Sequence, residues 1–201
     1  MIRTFAGFLV AVFCLSLTLA AQENSVPSTD SGQAGRQGWG NQRGIWLDVP
    51  FVAQEKDGCG AAALAMVIRY WQQHGRAVQS VSDPAEIQRT LFSKEAHGIY
   101  TSAMQHYLDT QGFRTFAFAG TRADLRRHLE KGRPLILALE PGNGSPLHYV
   151  VVVGMDEDRR LVLVNDPAQK KLLKLDQASL EREWNAADKW TLLAVPQSGP
   201  Q

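Results

Sequence analysis

The chain has 201 residues, of which 44% are apolar and 20% are charged, and its 21 basic side chains nearly balance 20 acidic ones. This composition is typical of one globular domain with additional segments, and it excludes fibrous and low-complexity proteins. A formal net charge of +1 provides no basic field for phosphates, so we expect no nucleic-acid partner.

Residues 1–21 have the features of a secretory signal peptide. Arg3 supplies a positive start, an uncharged apolar run covers 5–19, and small residues follow it. The run is shorter than the about 20 apolar residues that a membrane-spanning helix requires. We therefore expect export to the periplasm or the extracellular space, with cleavage near Ala20 or Ala21 and no membrane contact other than through the cleaved segment.

Cleavage at that point leaves a single cysteine, Cys59, because Cys14 lies within the apolar run. Exported proteins usually pair their cysteines, so a single one is either an intermolecular bridge or a reactive thiol. The spacing of histidines and cysteines matches no common metal motif, and we expect neither a metal nor another cofactor.

The rest of the chain divides into a linker, a folded domain and a short tail. Residues 22–43 are rich in Ser, Gly, Gln and Asn, which predicts a flexible linker. The domain covers 44–196 and begins with an extended apolar segment over 45–52, and 197–201 form the tail.

Apolar spacing and end signals predict four helices and then five strands in this domain. The helices cover 59–74, 84–92, 102–110 and 123–131, the last with Thr121 as N-cap and Gly132 at its end. The strands cover 134–140, 147–155, 160–165, 171–175 and 189–195. Helices come first and strands mostly afterwards, which favours an α+β fold over a doubly wound sheet.

Cys59 and His148 are the candidate reactive pair. Cys59 begins a predicted helix, where unpaired backbone N–H groups favour a thiolate, but a helix end contributes only about 0.3–1 kcal/mol. Activation therefore needs a nearby cation as well, and an imidazolium is suitable. Of the five histidines, only His148 opens a buried strand, whereas the others lie in or beside helices. A core histidine bonded to the backbone is the alternative for His148.

Asp166 is the candidate for orienting the imidazole. A hairpin centred on Glu157 would set His148 directly opposite Asp166, with Cβ atoms about 4.5–5.5 Å apart. A register shift of one residue would turn Asp166 to the other face of the sheet. The alternative for Asp166 is a turn-forming residue before Pro167. Gln54, five residues before Cys59, is the candidate oxyanion donor, with an exposed loop glutamine as its alternative.

Four motifs in order resemble the double-glycine leader peptidases, which are papain-like cysteine proteases that mature bacteriocins and related peptides. The motifs are VPFVAQ at 49–54, CGAAALAM at 59–66, HYVVVVG at 148–154 and NDPA at 165–168. The resemblance covers about 46–195. It implies a papain-like α+β fold, in which a helix carrying the nucleophile packs on an antiparallel sheet. It also implies Cys59 as nucleophile, His148 as general base and acid, Asp166 as orienting residue and Gln54 as oxyanion-hole donor.

Two departures distinguish this chain from many members of that family. Ala61 stands where many have proline after Cys-Gly. Many others are the front end of a peptide exporter with a nucleotide-binding loop, and the sequence GNGSP at 142–146 is too short and proline-broken to bind a nucleotide. We therefore expect a standalone exported peptidase whose substrate is a secreted peptide or protein.

Two other functions remain open at this level. A cell-wall amidase or a transglutaminase-like enzyme would use the same three groups on a related fold. A non-catalytic domain that binds peptide in the same cleft is the alternative from another class, although such a domain usually lacks the cysteine that this chain retains.

Overall fold

The computed structural model describes residues 44–75, 81–142 and 144–197. The predicted signal peptide and the whole of the predicted linker, 22–43, lie outside these ranges, as do residues 198–201 of the predicted tail. In chain order the elements are β1 (Gly44–Trp46), α1 (Cys59–Gln73), α2 (Pro84–Leu91), α3 (Thr101–Thr110), β2 (Phe113–Ala119), α4 (Arg122–Glu130), β3 (Leu135–Leu139), β4 (His148–Asp156), β5 (Leu161–Asp166), β6 (Lys170–Asp176), α5 (Gln177–Ala186) and β7 (Trp190–Pro196).

One antiparallel sheet organises the domain. Its strand order is β2-β7-β3-β4-β5-β6, and β1 pairs with the distal end of β4. Strands β3, β4 and β5 are buried almost throughout, because their runs of Val, Leu and Ile suit a sheet covered on both faces. The predicted α+β fold with a helix on an antiparallel sheet is confirmed.

Helix α1 forms the centre of the core on one face of this sheet. It packs against β4, α2 and α3, and every residue from Gly60 to Ile68 is buried. Its small residues allow this close packing, since a Cβ on Gly60 would lie 3.2 Å from Cβ of Ile99 and 3.4 Å from Cδ2 of Tyr149. This packing fixes the first turn of α1 against the beginning of β4.

The predicted helices and strands agree with the structure to within a few residues. Thr121 caps α4 through a capping box with Asp124, and Gly132 adopts a φ of 67° just after the helix, as the end signals indicated. Two elements, β2 and α5, were not predicted. Strand β2 is an edge strand with apolar residues on both faces, including Phe116 at 46% exposure, so it lacks a clear alternation.

Helix α5 begins at an N-cap, Asp176, that directly ends strand β6. Its two buried side chains, Leu180 and Trp184, are four residues apart, which is one face of a helix. Two buried apolar side chains in a helix of ten residues give only a weak helical periodicity in the sequence, and a strand directly precedes them, so the sequence did not predict α5. In the described part of the chain, no helix is long and apolar enough to cross a membrane.

Candidate active site

Cys59 is the first residue of α1, as the sequence predicted. Gly58 occupies the N-cap position and no side chain caps this end, so the first-turn N–H groups surround the half-buried thiol. The thiol donates to the carbonyl oxygen of Leu147 over 4.0 Å. Because Leu147 directly precedes β4, the beginning of α1 and the beginning of β4 meet at this point.

His148 is the first residue of β4, and its ring lies between two partners. Nε2 is 2.8 Å from Oδ1 of Asp166, and Cys59 lies near enough to the ring to raise its pKa. Nδ1 is therefore the nitrogen available to the sulfur. The structure thus brings Cys59, His148 and Asp166 together at one end of the β4–β5 pair.

The predicted register of the β4–β5 hairpin is wrong, although the predicted contact is present. Asp156 pairs with Leu161, which leaves a turn over 157–160 rather than a turn centred on Glu157. Farther along, Val151 pairs with Asn165. Continuing this register by one residue sets Asp166 beside Val150. His148 lies two residues before Val150 on β4, so it is a diagonal neighbour of Asp166 rather than its direct partner. Long side chains can bridge the distance between diagonal neighbours.

A β-bulge keeps both side chains on the same face. The register near the turn would, if continued, set Asp166 opposite Val151 and therefore on the face away from His148. One extra residue in β4, Val153, lies between the pairs formed by Val152 and Gly154 and shifts the register back by one. The juxtaposition of the imidazole and the carboxylate thus depends on this bulge.

Three donors hold the carboxylate of Asp166, whose side chain is only 5% exposed. Oδ1 accepts from Nε2 of His148 and from the N–H of Ala168 at 2.9 Å, and Oδ2 accepts from Nε2 of Gln169 at 2.7 Å. The bond to Ala168 is the local turn bond expected of an aspartate before proline. The same carboxylate therefore forms the turn and bonds the imidazole, so the two sequence-based alternatives are compatible.

Electrostatics at this site favour a charged pair. Burial lowers the pKa of His148, but hydrogen bonds to Asp166 and Cys59 and their negative charges outweigh it and raise the pKa to about 9. Burial alone would raise the pKa of Asp166, whereas the bonds from His148, Ala168 and Gln169 lower it overall. At neutral pH the ring is therefore a cation, and the carboxyl group is ionised.

Gln54 lies on the extended segment that leads to α1. Its backbone N–H donates to the carbonyl oxygen of Pro167 at 2.9 Å, which attaches this segment to the turn after Asp166. Its side-chain Oε1 is buried, and no group in the described residues donates to it. A buried amide oxygen without a partner costs about 1–3 kcal/mol, so this arrangement needs a compensating reason. The oxyanion role of Gln54 stays a prediction.

Asn165 is a residue of the site that sequence reasoning missed. It is completely buried, and its Nδ2 donates to the carbonyl oxygen of Val49 at 3.1 Å. Its Oδ1 accepts from the N–H of Leu172 at 3.0 Å, so the side chain connects the Gln54 segment to β6. A polar residue within the apolar run of β5 was the available signal, because buried amides require such partners.

A comparison with protein-family models gives the family. The model of the Peptidase_C39 like family matches residues 46–191. This chain belongs to that family. It is a cysteine peptidase of papain-like fold, as the sequence motifs indicated.

Solved structures resemble this C39-like peptidase in fold. The peptidase domain of Streptococcus ComA, a bifunctional ABC transporter in a quorum-sensing pathway, superposes with a TM-score of 0.59 at 19% identity, covering 73% of this chain and 98% of that one. A double glycine motif protease from an AMS/PCAT transporter, in complex with its leader peptide, gives 0.58 at 20% identity, with 76% and 94% covered.

A C39-like peptidase from Bacillus anthracis is similar to the same degree, with a TM-score of 0.58 at 17% identity and coverage of 77% and 98%. No curated protein sequence matches the chain. These identities are low, so the structural likeness establishes the fold of this C39-like peptidase and not its substrate.

The chemistry available at this end of the sheet is that of a nucleophilic thiol. An imidazolium beside a cysteine sulfur favours the thiolate, and a thiolate attacks carbonyl carbon. Within 44–75, 81–142 and 144–197, no three side chains of His, Cys, Asp or Glu come together as a metal site.

Proposed function

We propose that this protein is an exported cysteine endopeptidase that hydrolyses a peptide bond in a secreted peptide or protein. The observation that supports this most directly is the ring of His148, which bonds the Asp166 carboxylate at 2.8 Å and directly follows Leu147, whose carbonyl oxygen lies 4.0 Å from Sγ of Cys59. Cys59 is the nucleophile, His148 the acid and base, and Asp166 the orienting group.

The proposed reaction has two steps. The Cys59 thiolate attacks the carbonyl carbon of the substrate, and the tetrahedral intermediate collapses as Nδ1–H of His148 protonates the leaving amine. This forms a thioester between Sγ and the acyl part of the substrate. His148 then takes a proton from water, the hydroxide attacks the thioester, and the carboxylate product leaves as the thiolate is restored.

Gln54 is the proposed oxyanion donor in both steps. The Cys59 N–H lies at the uncapped start of α1, where it lacks an intrahelical partner, and it can act as a second donor. One such donor contributes about 2.7–4 kcal/mol in other enzymes. The bond from the Gln54 backbone to Pro167 ties this donor to the same turn that carries Asp166, so both parts of the site share one support.

The experiment that tests this proposal uses the purified protein and the exported proteins produced by the same cells. We expect new N-termini, detected by mass spectrometry, with the wild type and none with Cys59→Ala or His148→Ala. His106→Ala is the matched control, because His106 is exposed on α3 and is none of the proposed catalytic groups, and it should cleave normally. Cleavage that persists in Cys59→Ala would refute the peptidase mechanism.

Two further measurements separate the remaining alternatives. Release of peptide fragments from purified peptidoglycan, with no cleavage of protein substrates, would favour a cell-wall amidase. Peptide capture without any turnover, together with alkylation of Cys59 that follows an ordinary thiol titration, would favour a binding domain. Export is tested separately: the mature protein should be recovered outside the cytoplasm with an N-terminus at Ala21 or Gln22.

A further inference from the structure

A cavity with a strongly positive lining lies at the opposite end of α1 from Cys59. It has a volume of about 490 Å³, and Trp71, Arg114, Lys131, Arg133 and Gln197 contribute to its walls. Trp71 is twelve residues after Cys59 on the same helix, so the cavity lies about 18 Å from the thiol along the helix axis. It is therefore separate from the candidate active site.

Three cations line this cavity, and no described lining residue supplies a countercharge. None of the lining residues that the structure describes is acidic. Arg114, Lys131 and Arg133 form no ion pair with any described residue, whereas Arg126, on the neighbouring helix α4, pairs with Glu130 and Glu157. Like charges that face one cavity repel one another, so within the described residues this cluster gains no stability from ion pairing.

Helix electrostatics explain only one of the three. Lys131 is the C-cap residue of α4, where a cation stabilises the last carbonyl groups. Arg114, however, projects from edge strand β2, and Arg133 follows the helix in the connection to β3. The positive charge also affects a neighbouring histidine. Burial lowers the pKa of His128, and the charge of Arg133 lowers this pKa further.

The walls of the cavity are fixed by hydrogen bonds between separate elements. Nε1 of Trp71 donates to the carbonyl oxygen of Ala194 in β7 at 3.1 Å, and the Tyr70 hydroxyl donates to the carbonyl oxygen of Gly132 at 2.8 Å. Gln197 donates through its backbone to Gly112 at 2.9 Å and through Nε2 to Phe113 at 3.0 Å. These bonds hold together the elements that carry the cations, which reduces the cost of binding.

We propose that this cavity binds a small polyanion with two or more oxyanion groups, either phosphates or carboxylates. Guanidinium groups bind both kinds of oxyanion through paired hydrogen bonds, and Lys131 adds a point charge. The two arginines come from different elements, so one ligand would bridge β2 and the turn after α4. Nothing in the proposed peptidase mechanism requires this ligand.

The test measures the melting temperature of the full protein with increasing pyrophosphate or citrate, against sodium chloride at matched ionic strength. Ligand binding to the folded state raises the melting temperature, and the rise follows the ligand concentration. We expect a saturable rise with pyrophosphate or citrate and none with chloride. Binding of pyrophosphate would indicate a phosphate ligand, and binding of citrate would indicate a carboxylate ligand.

Substitutions of the lining arginines test whether the anion binds in this cavity. Arg133→Gln and Arg114→Gln should each weaken binding by about tenfold or more, the equivalent of one charge-assisted hydrogen bond. Without ligand they should melt no lower than the wild type, because a like charge has been removed from the cluster. Arg89→Gln, on the exposed face of α2, is the matched control and should bind as the wild type does. Equal responses to chloride, or equal binding by all variants, would overturn the proposal.

Discussion

Replacement of Asp166 by asparagine removes the charge beside His148 while keeping an oxygen that can accept from Nε2. The pKa of His148 rises from 6.5 to about 9 in the folded protein, because its bonds and charges outweigh burial. A rise of about 2.5 units corresponds to roughly 3 kcal/mol of differential stabilisation of the imidazolium. The ring is 80% shielded, since 20% of its side-chain surface is exposed, so solvent screening is limited.

The sign of the pH dependence follows from the direction of this shift. A raised pKa means that the folded state binds the proton more tightly, so the stabilisation is complete below about pH 6.5 and is lost as the pH rises through about 9. Asp166 has a lowered pKa, so its contribution is lost instead as the medium becomes acidic. The free energy of unfolding should therefore fall by up to about 3 kcal/mol between pH 6.5 and 9.

The assay uses the Cys59→Ala background, which prevents self-digestion. It also removes the contribution of Cys59 to the raised pKa of His148, so the fall in the free energy of unfolding should be smaller there than about 3 kcal/mol. Urea unfolding at several pH values gives the free energy of unfolding, and NMR of the imidazole protons gives the pKa of His148 directly. In the Asp166→Asn variant the pKa should fall, and the loss of stability between pH 6.5 and 9 should shrink. Identical pH profiles with and without Asp166→Asn would show that the carboxylate does not hold the imidazolium, and our reasoning would fail.

Two other substitutions test the supports of the site. Gly154→Ala should destabilise the domain by about 1–3 kcal/mol in urea unfolding, because the new Cβ would lie 2.6 Å from the carbonyl oxygen of Ile45 and force β1 away from β4; unchanged stability would contradict this packing. Asn165→Leu leaves the Val49 carbonyl and the Leu172 N–H without their partner, at about 1–3 kcal/mol each. The fraction of Asn165→Leu protein that still folds should show a lower kcat, and the Asn165→Asp variant should retain more activity. A normal kcat in Asn165→Leu would show that Asn165 does not position Gln54.

The sequence predicted the chemistry of the site better than its geometry. Cys59 was identified because it would be the single cysteine left after the predicted cleavage of the signal peptide, and His148 because a polar residue opens a valine-rich strand. These are strong local signals. The extra residue at Val153 leaves no such mark, because one valine among four has the same apolar character whether it is paired or bulged. The register could therefore not be derived from turn length alone.

Elements stabilised mainly by tertiary contacts were also hard to predict. Strand β2 pairs along its whole length with β7, which lies more than seventy residues later in the chain. Its own residues, with Phe116 exposed and Phe113 buried, do not alternate regularly. The Asn165 connections were missed for a related reason, since its partners Val49 and Leu172 come from two other segments.

The bulge at Val153 restricts which insertions and deletions this hairpin can accept. Adding or removing one residue in the connection over 157–160 would invert the orientation of every later side chain in β5, including Asp166. A second, compensating change at Val153 would restore the original orientation. Relatives should therefore differ in this connection by even numbers of residues, or should gain or lose the bulge together with an odd change.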